Sequence, residues 1–199
     1  MELMAPARRL GKRLLDRDAW IHSARRGLCK GGIGAVRIDR LARDLKVTKG
    51  SYYWHFRDLA DLHEELLASW ERETAELVAV CEPVADGRGR IEFALRIVEQ
   101  TTRAVESGGA PSDAAIYAWA SMDKHVARRV NQVERQRVEF LKRALLAARI
   151  PQAAAAARAE IGIMAYIGYV IRCQRDRAFV AGYWTFAADL LAALFPEAT

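Results

Sequence analysis

One short stretch of the chain concentrates side chains that could bind another molecule. Residues 48–56 read TKGSYYWHF and combine two aliphatic hydroxyls, a cation and five consecutive rings. A core helix spaces its aromatic residues three or four apart, so that they share one face. Consecutive rings point all round a helix, and some of these must face something outside the chain's own core.

The remaining reactive side chains form no catalytic pattern. The four histidines are scattered, and the sequence has no His-Glu-x-x-His, nucleophile-elbow or paired-cysteine metal motif. Cys29, Cys81 and Cys173 are odd in number and far apart, which favours reduced, buried thiols over disulfides or a metal site. We therefore predict no catalytic residue, no metal and no cofactor.

Positive charge is segregated along the chain. Residues 1–57 carry 14 Lys/Arg against 5 Asp/Glu, whereas residues 58–199 carry 17 against 20. The net charge of +6 therefore comes entirely from the first part. This segregation favours a polyanion-binding head on a near-neutral body over the alternative, a basic surface that is merely solvated.

Composition and periodicity predict an all-α fold. Proline is scarce, and no strand alternation with hairpin turns occurs. We predict two domains: residues 1–57, a basic arm and a three-helix head, and residues 58–199, a larger helical domain, with Glu82–Gly89 as the clearest linker. The first predicted helix begins after an Asp18 cap, the second covers Ile38–Leu45, and the third begins after a Thr48 cap. The fourth runs from an Asp58 cap to about Cys81. The remaining predicted helices cover residues 90–106, 112–121, 123–148, 152–174 and 178–195.

A short helix, a tight turn at Lys46 and Val47, and a second short helix form a helix-turn-helix pattern. In that motif the second helix lies in the major groove of DNA, and its first residues meet base edges. The start of this second helix needs small or polar residues, and its flanks need side chains that bind phosphate. Tyr52 and Phe56 are four residues apart, so both can turn inward to the core. The predicted base-facing residues are Thr48, Lys49, Gly50 and Ser51, and the predicted phosphate-facing residues are Tyr53, Trp54 and His55.

The last two helices are apolar on every face. Ile161–Ile171 contains no charge, and Phe179–Phe186 is similar. A helix that is apolar all round must be buried all round. We predict a homodimer in which these helices from both subunits form a four-helix bundle, the alternative being that they form only the core of a monomer.

Neither a membrane span nor a secretion signal is expected. Ile161–Ile171, the longest charge-free apolar segment, is shorter than the eighteen or more residues of a span. The first eighteen residues have no apolar stretch that could serve as a signal. We predict a cytoplasmic protein.

The segment VTKGSYYWHFRDLADL, residues 47–62, resembles the helix-turn-helix signature of the tetracycline-repressor (TetR) family of bacterial regulators. In that family the third helix usually reads Val-Ser-Lys-Gly-Thr-Leu-Tyr-His-His-Phe. The resemblance covers roughly residues 18–66, and the rest of the chain matches only in layout. It implies a dimeric, sequence-specific DNA-binding transcriptional regulator, a repressor released by a small molecule.

The resemblance implies roles for individual residues of the head. Thr48 would cap the third helix and touch phosphate, Lys49, Gly50 and Ser51 would approach bases, Tyr53 and His55 would bind phosphates, and Trp54 would lie against the sugar-phosphate edge or a thymine methyl.

Two positions of the head depart from the family pattern. Arg37 stands where members often have a phosphate-binding threonine or serine, so a hydroxyl cap is exchanged for a charge. Lys46 replaces the common glycine of the turn, where it could adopt the left-handed conformation at a cost of about 1 kcal/mol.

The resemblance also implies partners. These are double-stranded DNA with a near-palindromic operator, a second copy of the chain, and an unknown small-molecule effector, with no membrane partner. The effector pocket would lie between helices four and eight. Its candidate lining is Trp70, Phe93, Tyr117, Trp119 and Tyr166, a set that suits a modest apolar or aromatic molecule. The basic arm, Arg8, Arg9, Lys12, Arg13 and Arg17, would track phosphate or enter a minor groove, or would be a disordered tail.

Three other functions compete with this prediction. One is a helical small-molecule-binding protein or enzyme without sequence-specific DNA binding, which turnover of a bound ligand would reveal. Another is a basic protein that coats nucleic acid without sequence choice, which competition with unrelated DNA separates from a specific reader. The third, a membrane-surface protein, is disfavoured because Ile161–Ile171 has no basic face.

Overall fold

The computed structural model describes residues 16–104, 112–176 and 178–196, and all regular structure in these ranges is helical. The predicted all-α fold is confirmed. The helices are α1 (Arg17–Gly31), a 3₁₀ turn (Ile33–Ala35), α2 (Ile38–Asp44), α3 (Lys49–Tyr52), α4 (Leu59–Cys81), α5 (Gly87–Ala104), α6 (Ser112–Ala120), α7 (Lys124–Ala147), α8 (Gln152–Arg175), α9 (Ala178–Ala181) and α10 (Tyr183–Leu194).

Aspartates open three of these helices. Asp58 and Asp123 cap α4 and α7 by accepting hydrogen bonds from the backbone N–H groups of Asp61 and His125, each at 2.8 Å. The prediction that Asp18 caps α1 is wrong. Asp16 is the cap, with its carboxylate 2.9 Å from the Ala19 nitrogen, and Asp18 lies in the first turn. An aspartate at either place suits the positive end of the helix dipole, which is why the sequence left the choice open.

Two predicted boundaries also need correction. α5 begins at Gly87, inside the predicted linker, where the Asp86 carboxylate accepts a hydrogen bond from the Gly89 nitrogen at 2.6 Å. The predicted last helix is divided in two by Gly182, which precedes α10. In the first case an N-terminal turn tolerates glycine better than a helix interior does, so glycine was a poor guide to the linker's end.

The first hydrophobic cluster joins α1, α2 and α3 to the body of the molecule. Trp20, Tyr52 and Phe56 are its largest aromatic members at this end. The same cluster continues into α4, α6 and α7 through Leu66, Trp119 and other residues. We call residues 16–57 the head and residues 58–196 the body. The head's core is therefore continuous with the body, and the domain boundary at residue 57 remains a prediction.

The second cluster lies within the body and packs α8 along α7, with α5 and α10 beside them. The two long helices approach closely at Gly162, where an added Cβ would lie 2.7 Å from a Leu141 methyl. By length and composition alone α8 could cross a membrane. The apolar part of α8 is longer than the charge-free segment Ile161–Ile171, from which no span was expected. Core helices of soluble proteins can also be long and apolar enough to pass this test of length and composition.

Candidate nucleic-acid interface and effector cavity

Two aromatic residues anchor α3 to the core of the head. Tyr52 is 0% exposed and stacks on Phe56 with ring centroids 5.2 Å apart, while its edge meets Trp20. The Tyr52 hydroxyl donates to the Asp58 carbonyl at 2.6 Å, across the junction between α3 and α4. These contacts fix α3 from behind and leave its other side uncovered.

The opposite side of α3 faces outward. Trp54 is 88% exposed and Tyr53 is 61% exposed, although both lie beside buried rings in the sequence. Thr48, Lys49 and Gly50 are exposed, and Ser51 and His55 are half-buried. The seven residues of 48–55 that were predicted to face DNA are therefore all exposed or half-buried, while Tyr52 is buried. We call the surface of these seven residues the α3 face.

The turn before α3 has the strained geometry that its sequence indicates. Lys46 has a φ of 56°, the left-handed conformation that glycine adopts most readily. The Val47 nitrogen then donates to the Ala42 carbonyl at 2.9 Å. Thr48 occupies the cap position, yet it makes no side-chain capping hydrogen bond to the chain as described. Its hydroxyl is placed at the rim of the α3 face, where an outside acceptor could reach it.

Gly50 has no internal reason to be glycine. A Cβ added there would have Thr48 Oγ1, at 3.8 Å, as its nearest described neighbour, which is ordinary van der Waals contact. Glycine also costs a helix about 1 kcal/mol relative to alanine. A small residue at an exposed helix start instead permits another molecule to approach the backbone.

Arg37 extends this surface towards α2. It precedes α2 as the N-cap without a side-chain capping bond, and its side chain is 69% exposed beside Asp39, at 3.4 Å. An open groove between the head and the start of α4 is lined by Arg37 and its partner Asp39 together with Lys49 and Tyr53. Arg37 lies next to the α3 face, and its contact with phosphate stays a prediction.

Polar contacts hold α1 against α4. The Arg25 guanidinium donates to Ser69 Oγ at 2.7 Å and pairs with Glu73. Arg17, the member of the basic arm that the structure describes, pairs with Glu65 at 3.0 Å. Arg8, Arg9, Lys12 and Arg13 lie outside the described residues. The head is therefore fastened to the first long helix of the body by charge as well as by its core.

A cavity of about 120 Å³ lies in the body. It is partly open and is lined by α4, α5, α7, α8 and α10. Its polar lining residues are Thr74, Arg137 and Tyr166, and its apolar lining residues are Leu77, Val78, Ile91, Ala94, Leu95, Val98, Phe140, Leu141, Gly162, Ile163, Leu190 and Leu194. Its chemistry is therefore apolar apart from three side chains. We call it the body cavity.

A buried ion pair forms the polar end of the body cavity. The Arg137 guanidinium donates to the two carboxylate oxygens of Asp113 at 2.8 and 3.3 Å, and these side chains are only 15% and 12% exposed. Arg137 also donates to Thr74 Oγ1 at 2.9 Å. The Tyr166 hydroxyl donates to Asp113 at 2.9 Å, and the Trp70 indole N–H donates to it as well. One carboxylate on α6 thus joins α4, α7 and α8.

The pair is ionised at neutral pH. Burial by itself raises the pKa of Asp113, but the Arg137 charge and the hydrogen bonds from Arg137, Trp70 and Tyr166 outweigh it and hold the pKa below its usual value. Burial together with the Asp113 charge raises the pKa of the Tyr166 hydroxyl well above its usual value, so Tyr166 stays protonated. The body cavity therefore ends on a compensated pair of charges rather than on a free one.

The five residues predicted to line an effector pocket are spread over the body. Tyr166 lines the body cavity, and Trp70 touches Asp113 from outside its lining. Tyr117 packs between the two hydrophobic clusters. Trp119 lies in the first cluster, with its ring edge against His63, and Phe93 is 40% exposed. The structure thus brings one of the five to the cavity wall.

The sequence contained a signal for Arg137 that our prediction missed. On α7 the buried apolar positions include Val130, Val133, Leu141 and Ala144. Position 137 lies seven after Val130 and four after Val133, on the same stripe, so a charge there should be buried and paired. The identity of its partner, Asp113, depends on tertiary packing and had no local signal. Among the described residues no cluster of three or more His, Cys, Asp or Glu side chains could hold a metal.

The fold has known counterparts. No protein-family model matches the chain, and no curated protein matches it. Among solved structures, a TetR transcriptional regulator from Legionella pneumophila superposes with a TM-score of 0.73 at 14% identity, over 88% of this chain and 96% of that one. The regulatory protein TetR from Rhodobacter sphaeroides gives 0.68 at 18% identity, over 86% and 96%. The reduced form of E. coli NemR gives 0.62 at 16% identity, over 89% and 94%.

These superpositions define the class: the chain has the all-α fold of TetR transcriptional regulators, with a helix-turn-helix head on a helical body. The resemblance of residues 47–62 to the TetR signature is thus confirmed at the level of the fold. At this degree of identity the superpositions establish architecture, and the function depends on the side chains of this chain.

Proposed function

We propose that the chain is a homodimeric, sequence-specific DNA-binding transcriptional regulator of the TetR family, a repressor released when a small molecule enters the body cavity. It acts in the cytoplasm, where it meets its operator, and it binds ligands without transforming them. The observation that carries this proposal is the α3 face. A four-residue helix is anchored by Tyr52 and Phe56, and it turns Tyr53, Trp54 and Lys49 outward.

The α3 face suits a DNA groove in shape and in chemistry. Gly50 and Ser51 permit close approach of the backbone, and Lys49 can donate to a guanine edge. Arg37, Tyr53 and His55 surround this start and can bind phosphates, which set the register of the helix on the duplex. Trp54 presents a large flat ring that matches the sugar-phosphate edge or a thymine methyl.

Dimerisation is supported by an apolar surface on α8 and α10. Ile161 is 61% exposed, Met164 is 66% exposed and Trp184 is 47% exposed. Only 28% of the most apolar window of α8 is buried within one chain. A second copy placed by a two-fold axis would cover these side chains with the same side chains. The pair of heads would then read the two halves of a near-palindromic operator.

The body cavity can communicate with the head through α4 and α6. Thr74 on α4 lines the cavity, while Arg25 of the head is bonded to Ser69 and Glu73 on the same helix. Asp113 starts α6, which packs against α1. A ligand that prefers one disposition of these helices shifts the population towards it and changes the spacing of the two heads.

Selection of bound fragments from genomic DNA tests the reading function. The wild-type chain is expected to enrich one near-palindromic sequence and to keep it against a thousandfold excess of unrelated DNA, in line with the usual gap between specific and non-specific affinity. The double variant Lys49→Ala, Tyr53→Ala should lose the site and remain a folded dimer. Lys124→Ala removes the same charge from an exposed position on the body and should leave binding unchanged. Equal binding by the double variant would exclude α3 as the reader.

Light scattering tests the dimer. The double variant Ile161→Glu, Met164→Glu places charges in the proposed interface and should give monomers that no longer bind the operator cooperatively. Val80→Glu is the matched control, because Val80 is 52% exposed on α4, away from α8. A dimer that survives the double variant would place the interface elsewhere.

A further inference from the structure

We propose that the body cavity takes a small, electrically neutral ligand with an apolar body and one hydroxyl or amide group, and that it rejects carboxylates and other anions. This names the effector class of the proposed regulator and rests on that function.

The size and lining of the cavity define the apolar part of the ligand. A volume of about 120 Å³ approaches that of an engineered cavity of about 150 Å³ that binds benzene. The walls from α5 and α10 are aliphatic, including Leu95, Val98 and Leu190. A single ring or a short branched chain fits this space, and the removal of its apolar surface from water favours binding.

The ion pair excludes an anionic head. Arg137 is the cation of the lining, and its charge is already neutralised by Asp113 through two hydrogen bonds. An anion beside this guanidinium would compete with Asp113 for its single positive charge. One of the two carboxylates would then be buried without a full charge partner, which is strongly unfavourable. A neutral ligand leaves the pair intact and avoids this penalty.

The hydroxyls of Tyr166 and Thr74 provide places for one neutral polar group. Tyr166 donates its proton to Asp113, so its oxygen can still accept. Thr74 Oγ1 accepts from Arg137, so its own O–H can still donate. Both residues line the cavity. A ligand hydroxyl or amide can satisfy this acceptor and this donor together, because each of these groups both donates and accepts.

Two ring compounds of the same size form the direct test. Benzyl alcohol and benzoate differ mainly in charge, and toluene has the same ring without oxygen. In thermal denaturation of the full-length chain at pH 7, benzyl alcohol at ten times its Kd should raise the Tm by roughly 3–6 °C. Benzoate at the same concentration should give no shift. Equal stabilisation by benzoate, or no binding by benzyl alcohol, would overturn the proposal.

Two variants test the roles of the polar residues. Asp113→Asn leaves the Arg137 charge uncompensated, so benzoate should now bind at least about tenfold more tightly than benzyl alcohol. Tyr166→Phe removes the accepting oxygen and should weaken benzyl alcohol roughly five- to tenfold while leaving toluene unchanged. If Asp113→Asn fails to fold, Tyr166→Phe and the wild-type comparison decide. Retained preference for benzyl alcohol in a folded Asp113→Asn chain would contradict the charge argument.

The same samples separate this inference from the proposed function. DNA selection is run without ligand, so it reports on the α3 face alone. A chain that selects an operator but binds neither alcohol nor toluene refutes the ligand class and leaves the regulator standing. A chain that binds benzyl alcohol but selects no DNA sequence refutes the regulator and leaves a cavity without its proposed purpose.

Discussion

The head and the body differ in how their buried charges are paired. The core of the head is built on large rings, Trp20, Tyr52 and Phe56, and its most buried ion-paired arginine, Arg25 at 17% exposed, has a half-exposed partner, Glu73. The body buries a complete ion pair, Asp113 with Arg137, beside a cavity. In the function that we propose, the aromatic core would hold the α3 face in place, and the cavity beside the ion pair would let the body helices shift.

The largest expected effect comes from breaking the buried pair. Arg137→Met leaves the Asp113 carboxylate buried without its partner and should lower the free energy of unfolding by about 3–5 kcal/mol. In the head, Arg17→Met removes an arginine that is 45% exposed, and it should cost less than about 1 kcal/mol. Urea denaturation of both variants measures the difference between the two regions. Similar losses of unfolding free energy in the two variants would show that burial does not distinguish the ion pairs of the two regions.

Acid provides a control on the same pair. Because the pKa of Asp113 in the folded chain is lowered, the stability it contributes is full above its unfolded pKa of about 4 and is lost as the pH falls through the folded value. In Arg137→Met the unpaired carboxylate instead has a raised pKa and gains relative stability when it is protonated. The difference in unfolding free energy between the wild type and Arg137→Met should therefore become smaller below pH 4. A difference that does not change with pH would mean that the stability lost in Arg137→Met is not electrostatic.

Glycines sharpen the comparison at an intermediate size. In the body, a Cβ at Gly87 would lie 2.0 Å from the Ala144 carbonyl oxygen and 2.7 Å from the Ala148 nitrogen, so Gly87→Ala should cost about 1–3 kcal/mol through backbone displacement. In the head, a Cβ at Gly50 would make only an ordinary van der Waals contact with Thr48, so Gly50→Ala should leave stability equal or slightly higher, by up to about 1 kcal/mol. It should nevertheless weaken operator binding. Thermal denaturation measures the effect on stability, and a gel shift measures the effect on DNA binding. A destabilised Gly50→Ala chain would contradict the idea that Gly50 serves the approach of another molecule.

Matched tyrosines give a smaller effect. Tyr52 and Tyr183 each donate a hydroxyl to a backbone carbonyl at 2.6 Å, to Asp58 in one case and to Leu95 in the other. Tyr52→Phe and Tyr183→Phe should each cost about 1 kcal/mol in urea denaturation. Tyr52→Phe should in addition weaken operator binding, because its bond ties α3 to α4. Equal DNA affinity for the two variants would separate that bond from reading.

The smallest effect is expected at the turn before α3. Lys46→Gly relieves the left-handed conformation of a non-glycine residue, which should stabilise the folded chain by about 1 kcal/mol. Glycine also raises the conformational entropy of the unfolded chain, which offsets about 0.4–1 kcal/mol of that gain. The net change in unfolding free energy should be close to zero. A large loss of stability would show that the Lys46 side chain has a structural role.

The α3 face was predictable because its determinants are local. These determinants are the spacing of Tyr52 and Phe56, the small residue Gly50 at the helix start and the left-handed conformation of Lys46. All of them lie within a short stretch of the sequence. Most helix bounds followed for the same reason. The body cavity was not predictable, because Asp113 and Arg137 are 24 positions apart and meet only after α6, α7 and α8 have packed. Aromatic residues were a poor guide to its lining, which is mainly aliphatic.

The hydrogen bond between Tyr52 and Asp58, the N-cap of α4, has a mechanical consequence. It ties the four-residue α3 to the start of the 23-residue α4, so a movement of α4 is transmitted to α3. In the dimer that we propose, a small tilt at the far end of α4 would shift each α3 sideways. The distance between the two α3 helices would change, and they would no longer match the two half-sites of the operator.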